Sequence, residues 1–240
     1  MSKTPKQYIE EYYEDYASGA IDQELETVSN FLIENTKGKV LDCGCGPVPQ
    51  FWSVFMPKVE ELYAIDLPQE SIDFVKDKIK NVSKWCKSFT GCQKIVEEKI
   101  GKLPDDYIIR QVSKIKLVQQ ADMTKGLPFP NNYFDTVISL YSLGCLKDEK
   151  GLEEAIKNIK KALKLGGTLL HINTNGKNRN ESLPSYTWNG LSQSSDLIKK
   201  YLAKNGFTDI SVKRAELSPN DKRMYKYDNI SLLMAVKVED

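Results

Sequence analysis

Apolar positions along the chain alternate between two patterns. Short, nearly continuous runs rich in β-branched residues occupy Lys39–Cys43, Leu62–Leu67, Ile115–Gln120, Thr136–Leu140 and Thr168–Asn173. Runs of this kind are the mark of strands covered on both faces. Between them lie segments with apolar residues three and four apart. Ser71–Ile79 carries Ile72, Val75 and Ile79, and Leu152–Lys164 carries Ile156, Ile159 and Leu163. That spacing puts the apolar residues on one helical stripe, so both segments are expected to be crossover helices between parallel strands. The second helix is expected to end at Lys164–Gly167, where a glycine can adopt the left-handed C′ conformation beside basic residues.

Beyond the fifth run the pattern changes. Asn173–Gly190 reads as a polar loop and Ser192–Lys204 as a helix. Asp209–Ala215 and Ser231–Val238 read as a reversed final pair of strands around a turn at Ser218–Asp221. Residues 1–37 read as helical, with Leu25, Val28, Phe31 and Leu32 on one face, and Asn81–Ser113 as a partly helical insertion. The elements add up to an α/β fold: a Rossmann-like, doubly wound, mostly parallel seven-stranded sheet with an antiparallel final strand and an N-terminal helical lid. Residues 1–240 are expected to form one domain, with 1–37 as the lid and 38–240 as the core.

Composition changes this picture little. The 34 Lys and Arg balance 33 Asp and Glu for a formal charge of +1, so no global field draws the chain to nucleic acid or an anionic membrane. Lysines in Lys157–Lys164 follow Glu153 and Glu154 at helical spacing, which reads as a solvated face. No apolar stretch approaches the roughly 20 residues of a membrane span. The first residues are charged and lack the apolar core of a secretory signal, so a cytoplasmic, reducing setting is expected. The five cysteines then read as free thiols. Cys43 and Cys45 match neither zinc-knuckle nor redox-pair spacing, and no metal site is expected.

The candidate chemistry starts at the first strand, which ends near Asp42 and runs into Gly44 and Gly46. Glycines there allow close backbone approach to a ligand at the sheet edge. Pro47 and Pro49 remove two amide donors and the third glycine of a dinucleotide loop is missing, which disfavours a pyrophosphate. Asp66, at the end of the second strand, is a candidate acceptor for ribose hydroxyls, against the alternative of a turn cap. Asp122 and Met123, after the third strand, could meet the amino group and ring of adenine. Together these residues outline an adenosine site without phosphates. Asp42 could equally be a plain acceptor for loop amides, and Cys43 and Cys45 small buried residues.

The ordered segments DCGCGP, AID, ADMT and YFDTVISLYSL resemble the motifs of class I S-adenosylmethionine-dependent methyltransferases. The GxGP variant, the opening YIEEYYEDY, the long Trp-containing segment before the third strand and the KLGG-strand-loop-helix ending resemble the nicotinamide, phenylethanolamine and indolethylamine N-methyltransferase group. The resemblance implies S-adenosyl-L-methionine as cofactor, S-adenosyl-L-homocysteine as product and a small-molecule methyl acceptor. It implies that Tyr8 and Tyr13 belong to a lid over the cofactor. Gly44 and Gly46 would meet the methionine end, Asp66 the ribose, Asp122 and Met123 adenine, and Leu140 and Tyr141 the floor, with Asp42 and Leu67 also counted among the cofactor-binding residues. Gln50 and Ser71 depart from the group's pattern.

Methylating an amine creates a cation, so the acceptor side needs a proton path and acceptors or aromatic faces. Tyr16, Ser142, His171 and Asn173 are the substrate-side candidates. His171 could instead be a strand histidine with a satisfied hydrogen bond, and the N-terminal tyrosines an ordinary helix face. Methyl transfer to a peptide or RNA is the alternative function. The missing Pro-Pro-aromatic element after SLYSL speaks against a flipped base. A nicotinamide-dependent oxidoreductase and a non-catalytic cofactor-binding protein are the remaining classes.

Overall fold

The structure is a computed structural model that describes residues 4–12, 20–47, 56–82, 90–175, 195–216 and 229–239. Its strands are β1 (Gly38–Cys43), β2 (Val59–Asp66), β3 (Ile115–Gln120), β4 (Phe134–Leu140), β5 (Leu163–Asn175), β6 (Phe207–Glu216) and β7 (Asn229–Lys237). The helices are α1 (Pro5–Tyr12), α2 (Gln23–Asn35), α3 (Gln69–Lys80), α4 (Thr90–Ile100), α5 (Tyr107–Ser113), α6 (Glu149–Ala162) and α7 (Ser195–Lys204). The seven strands form one sheet in the order β3-β2-β1-β4-β5-β7-β6. β7 runs antiparallel to both of its neighbours, while β1, β2 and β3 pair in parallel, as do β4 and β5. This is the Rossmann-like mixed sheet expected from the chain's alternating pattern. No helix among the described residues is long and apolar enough to cross a membrane.

The chain forms two compact units, Met1–Ala121 and Asp122–Asp240. In the first, α3 lays Ile72 and Val75 on the sheet, where they form a cluster with Cys45, Ala64 and Val118. α2 starts at Asp22, whose carboxylate accepts the Leu25 N–H at 2.7 Å and so satisfies one orphan donor of the first turn. It buries Leu25, Val28, Leu32 and Ile33, with Phe31 only half-buried. The segment expected to be a partly helical insertion holds α4 and α5, and α4 buries Cys92, Ile95 and Val96.

In the second unit α6 is capped by Asp148, which accepts the Gly151 N–H at 2.8 Å. The helix buries Leu152, Ala155, Ile156 and Ile159. On the outer side Lys157 pairs with Glu154 at 2.9 Å, and Lys204 with Glu153 at 2.9 Å.

Two expectations need correction. The helix ends at Ala162 and not within Lys164–Gly167, because Leu163 is already extended and pairs with Phe134. The next paired residues are Thr136 and Thr168, so Lys164–Gly167 bulges out of β5. Gly166 takes φ +74°, and a Cβ on Gly167 would lie 2.8 Å from the Lys164 carbonyl and 3.2 Å from that of Phe134. These glycines shape a bulge, not a helix end. The second correction is that β5 continues past its expected end at Asn173, which pairs with Ser231, to Asn175, which lies opposite Asn229 of β7 and reads as loop in the sequence. Pairing with β7 keeps polar residues in a strand that their local sequence assigns to a loop. The remainder of that loop and the turn at Ser218–Asp221 lie outside the described residues.

Candidate functional site

β1 delivers its carboxyl end to a turn that β2 holds shut. Gly44 and Gly46 have φ of +82° and +61°, a region glycine enters without a Cβ clash. The N–H groups of Gly44 and Cys45 both donate to the Ile65 carbonyl, at 2.9 and 3.0 Å. The Gly46 N–H donates to Asp66 Oδ2, and the Leu67 N–H to Asp66 Oδ1 at 2.7 Å. Asp66 therefore links the end of β2 to the glycine turn after β1. Leu67 follows it with 58% of its surface exposed, while Asp42 is buried inside β1.

Burial raises the pKa of Asp66, opposed by the Leu67 and Gly46 amides. Burial also pushes the Cys43 and Cys45 thiols well up, with the negative charges of Asp42 and Asp66 adding to the effect. Both thiols therefore stay protonated near neutrality, as befits small packed residues.

This turn fits a nucleoside and not a pyrophosphate. Its three amides are already committed to Ile65 and Asp66, Pro47 has none, and a carboxylate sits where a phosphate would bring negative charge. The two Asp66 oxygens have each accepted one N–H. A carboxylate offers about four acceptor positions, so one remains on each oxygen, matching the two hydroxyls of a ribose.

On the neighbouring strand Gln120 pairs with Asp66, and its side-chain amide donates to the Leu67 carbonyl at 2.8 Å. Asp122, which opens the second unit, accepts from the Thr124 N–H at 2.9 Å and the Thr124 hydroxyl at 2.7 Å. Those bonds, the hydroxyl's foremost, hold its carboxyl below the usual range, with Lys125 adding a weaker pull. Asp122 is thus an Asx-type turn former that keeps its charge. Both of these contacts use Oδ1, while Oδ2 faces Lys125 at 3.7 Å. The Met123 carbonyl accepts from Asn158 at 2.9 Å, which ties this turn to α6.

At the carboxyl end of β4, Leu140 is buried and Tyr141 takes φ +58°, continuing the ladder by donating its N–H to the Ile172 carbonyl at 2.9 Å. Ser142 shares a 2.6 Å hydrogen bond with Ser139, a residue that the pattern of the apolar run does not single out. His171 lies beside Ser139 in β5 and is 1% exposed. A carbonyl can only accept, so His171 Nδ1 donates to the Ser139 carbonyl at 2.7 Å. Nε2 is then a buried acceptor with no partner among the described residues. This is the packed strand histidine of the two readings: its ring faces the interior and not solvent. Asn173 is likewise fully buried. The side chain of Tyr8 and all of Tyr13 and Tyr16 lie outside the described residues.

Burial lowers the His171 pKa to about 4, with the Ser139 carbonyl acting in the opposite direction. A depressed pKa means the unfolded chain binds the proton first. The stability His171 contributes is therefore present above its ordinary pKa near 6.5 and is lost as pH falls toward 4. That loss is on the order of 3 kcal/mol from the size of the shift. Thermal melts between pH 7 and pH 4.5 are expected to show it, with His171→Asn less stable at pH 7 but losing less on acidification. Parallel pH curves for the two proteins would contradict the assignment.

Comparison with known proteins matches residues 41–171, more than half of the chain, to the family model described as a methyltransferase domain. No curated protein sequence matches. Among solved structures, the N-methyltransferase NodS from Bradyrhizobium japonicum WM9, in complex with S-adenosyl-L-homocysteine, superposes with a TM-score of 0.61 at 15% identity, covering 99% of this chain and 100% of that one. A SAM-dependent methyltransferase from Aquifex aeolicus gives 0.60 at 14% identity over 99% and 100% of the two chains. The [4+2]-cyclase SpnF gives 0.61 at 15% identity over 92% and 85%. At these identities the likeness is one of fold, and the cyclase illustrates how one fold hosts different chemistry. With the family model spanning the glycine turn, Asp66, Asp122 and the end of β4, the chain belongs to the methyltransferase domain family and is an enzyme that uses S-adenosyl-L-methionine.

Proposed function

We propose that this enzyme N-methylates a small amine or N-heterocycle by direct in-line transfer. The observation that carries the reading is the neutral, hydrogen-bonding character of the carboxyl ends of β4 and β5. Tyr141 and the Ser139–Ser142 pair lie there, with an uncharged His171 packed beside Ser139 and the buried Asn173 further along β5. An amine attacks as a neutral base and sheds its proton afterwards. It therefore needs orientation and acceptors more than a strong general base. The N-methyltransferase NodS among the fold neighbours is in keeping with this.

When bound, the cofactor supplies a methyl group on a sulfonium, already activated for displacement. In this reading Asp66 accepts the ribose hydroxyls and Leu67 covers the sugar. The turn of Gly44 and Gly46, with Asp42 beneath it, takes the methionine end. Asp122 and Met123 meet adenine, and Leu140 and Tyr141 line the floor. Tyr8 and Tyr13 close over the cofactor from residues 1–37, Tyr16 and Ser142 approach the acceptor, and residues 1–240 act as one domain.

A screen with methyl-labelled S-adenosyl-L-methionine tests the acceptor. Primary amines, pyridines, thiols, a peptide and an RNA oligonucleotide are offered separately, and labelled product is measured together with S-adenosyl-L-homocysteine. Label is expected on an amine or ring nitrogen. Label confined to the peptide or the RNA would replace this reading with methylation of a macromolecule.

A further inference from the structure

Between β2 and α3 the chain passes through Leu67 and Pro68, and little within that connection steadies it. The backbone bonds between β2 and β3 end with the Ala121 N–H on the Asp66 carbonyl at 2.9 Å. Pro68, the N-cap of α3, makes no side-chain bond to the first turn of the helix. Leu67 is exposed, so close packing does not hold it either.

One side chain reaches past the end of the ladder. Gln120, opposite Asp66 at the end of β3, donates its side-chain amide to the Leu67 carbonyl at 2.8 Å. The Leu67 N–H in turn donates to Asp66 Oδ1 at 2.7 Å, while Oδ2 is held separately by the Gly46 N–H. The carboxylate is thus gripped from two sides, and its Oδ1 grip is only as firm as Leu67. All of these residues belong to the unit Met1–Ala121.

Stability does not account for the Gln120 bond. Gln120 is exposed, and a surface bond competes with water while it orders a long side chain, so gain and cost nearly cancel. What the bond does fix is direction. Hydrogen bonds weaken steeply off line, so one remaining acceptor position on each oxygen suits two hydroxyls only while both oxygens keep their orientation.

We propose that Gln120 is a positioning residue for the cofactor ribose: by holding the Leu67 carbonyl it keeps the Leu67 N–H on Asp66 Oδ1 and so sets the angle at which the carboxylate meets the sugar. This deepens the assignment of Asp66 to the ribose and rests on it. Without Gln120 the Gly46 N–H is the one firm anchor of the carboxylate, and Oδ1 can swing about it.

The test titrates S-adenosyl-L-homocysteine calorimetrically into the unaltered full chain, Gln120→Met, Asp66→Ala and the double variant. Methionine keeps the length of the side chain and removes the donor. Gln120→Met is expected to weaken binding about five- to tenfold, the scale of one hydrogen bond, and to melt within about 2 °C of the unaltered enzyme. In the Asp66→Ala background the same change should cost less than about twofold, because nothing is left to position. The pH profile supplies a readout that a merely structural bond would not move. The Leu67 N–H opposes the burial that raises the pKa of Asp66, so loosening it should make affinity fall at a higher pH in Gln120→Met. Asp42 and the protonated Cys43 and Cys45 thiols, the ionisable groups of β1 and its turn, are the same in both proteins. This comparison needs no Asp66 variant, so it decides even where Asp66→Ala fails to fold. Undiminished affinity in Gln120→Met, equal losses in the two backgrounds, coincident pH profiles or a melt several degrees lower would each overturn the proposal and leave Asp66 on the ribose. Unchanged affinity in Asp66→Ala would overturn the ribose assignment beneath it as well.

Discussion

Replacing Asp66 with alanine is expected to weaken S-adenosyl-L-homocysteine binding by about 2–3 kcal/mol, roughly 30- to 150-fold, in a calorimetric titration. Two effects combine. The proposed ribose hydroxyls lose a charged acceptor, and hydrogen bonds to charged groups are worth about 1.5–3 kcal/mol. The glycine turn also loses the acceptor of its Gly46 N–H, and the Leu67 N–H loses its own. The turn is then no longer held against β2 at its far end. Asp66→Asn separates the contributions, since one amide oxygen can retain a single backbone donor while presenting an NH2 to the sugar.

The pH dependence of the same titration carries independent information. The pKa of Asp66 is raised by burial, so its contribution to fold stability is present below the ordinary carboxylate range and is lost as pH rises through the raised value. The ionised form thus costs the unliganded fold something near neutrality, and ribose hydroxyls would offset that cost. Affinity should fall as pH is lowered through that value. Asp122, held below the usual range, stays charged throughout and does not mask the effect. Unchanged affinity in Asp66→Ala, or a flat pH profile down to the ordinary carboxylate range, would remove Asp66 from the ribose.

Phe134→Ala is expected to cost about 3–5 kcal/mol of stability in denaturant unfolding, the range for deleting a buried aromatic side chain. Phe134 is fully buried at the start of β4. Phe129 packs edge-on against it with ring centroids 4.9 Å apart, and Tyr133 does so at 5.0 Å. Its carbonyl lies against the Gly167 bulge, so the ring cannot be replaced by an inward collapse of that backbone. The resulting cavity would lie at the opposite end of β4 from Leu140 and Tyr141. Cofactor affinity measured well below the melting transition should therefore stay within a few-fold. A cost under about 1 kcal/mol would mean the three rings repack, contrary to the usual behaviour of a close-packed core.

How far the chain could be read in advance depended on the range of the interactions. β3 runs from Ile115 to Gln120 as its local pattern indicates, and Ile72 and Val75 of α3 and Ile156 and Ile159 of α6 are buried as their spacing requires. The Lys164–Gly167 segment misled because a glycine pair after a helix satisfies a helix end and a strand bulge equally well. Only the pairing of Leu163 with Phe134 separates the two. Asn175 misled for the same reason, since a polar residue beyond Asn173 extends the strand only when Asn229 arrives opposite.

The order of strands and helices, the glycine turn, the acid at the end of β2 and the exclusion of a phosphate cradle follow from the residues alone. Each rests on local periodicity or on the chemistry of single side chains. That Asp66 clasps the turn after β1, that His171 turns inward to the Ser139 carbonyl, and that Tyr141 is forced into a glycine-like backbone were settled only by folding. Those features join residues far apart in the chain, or impose a conformation their own type resists, and the energy that enforces them comes from neighbours no local window contains.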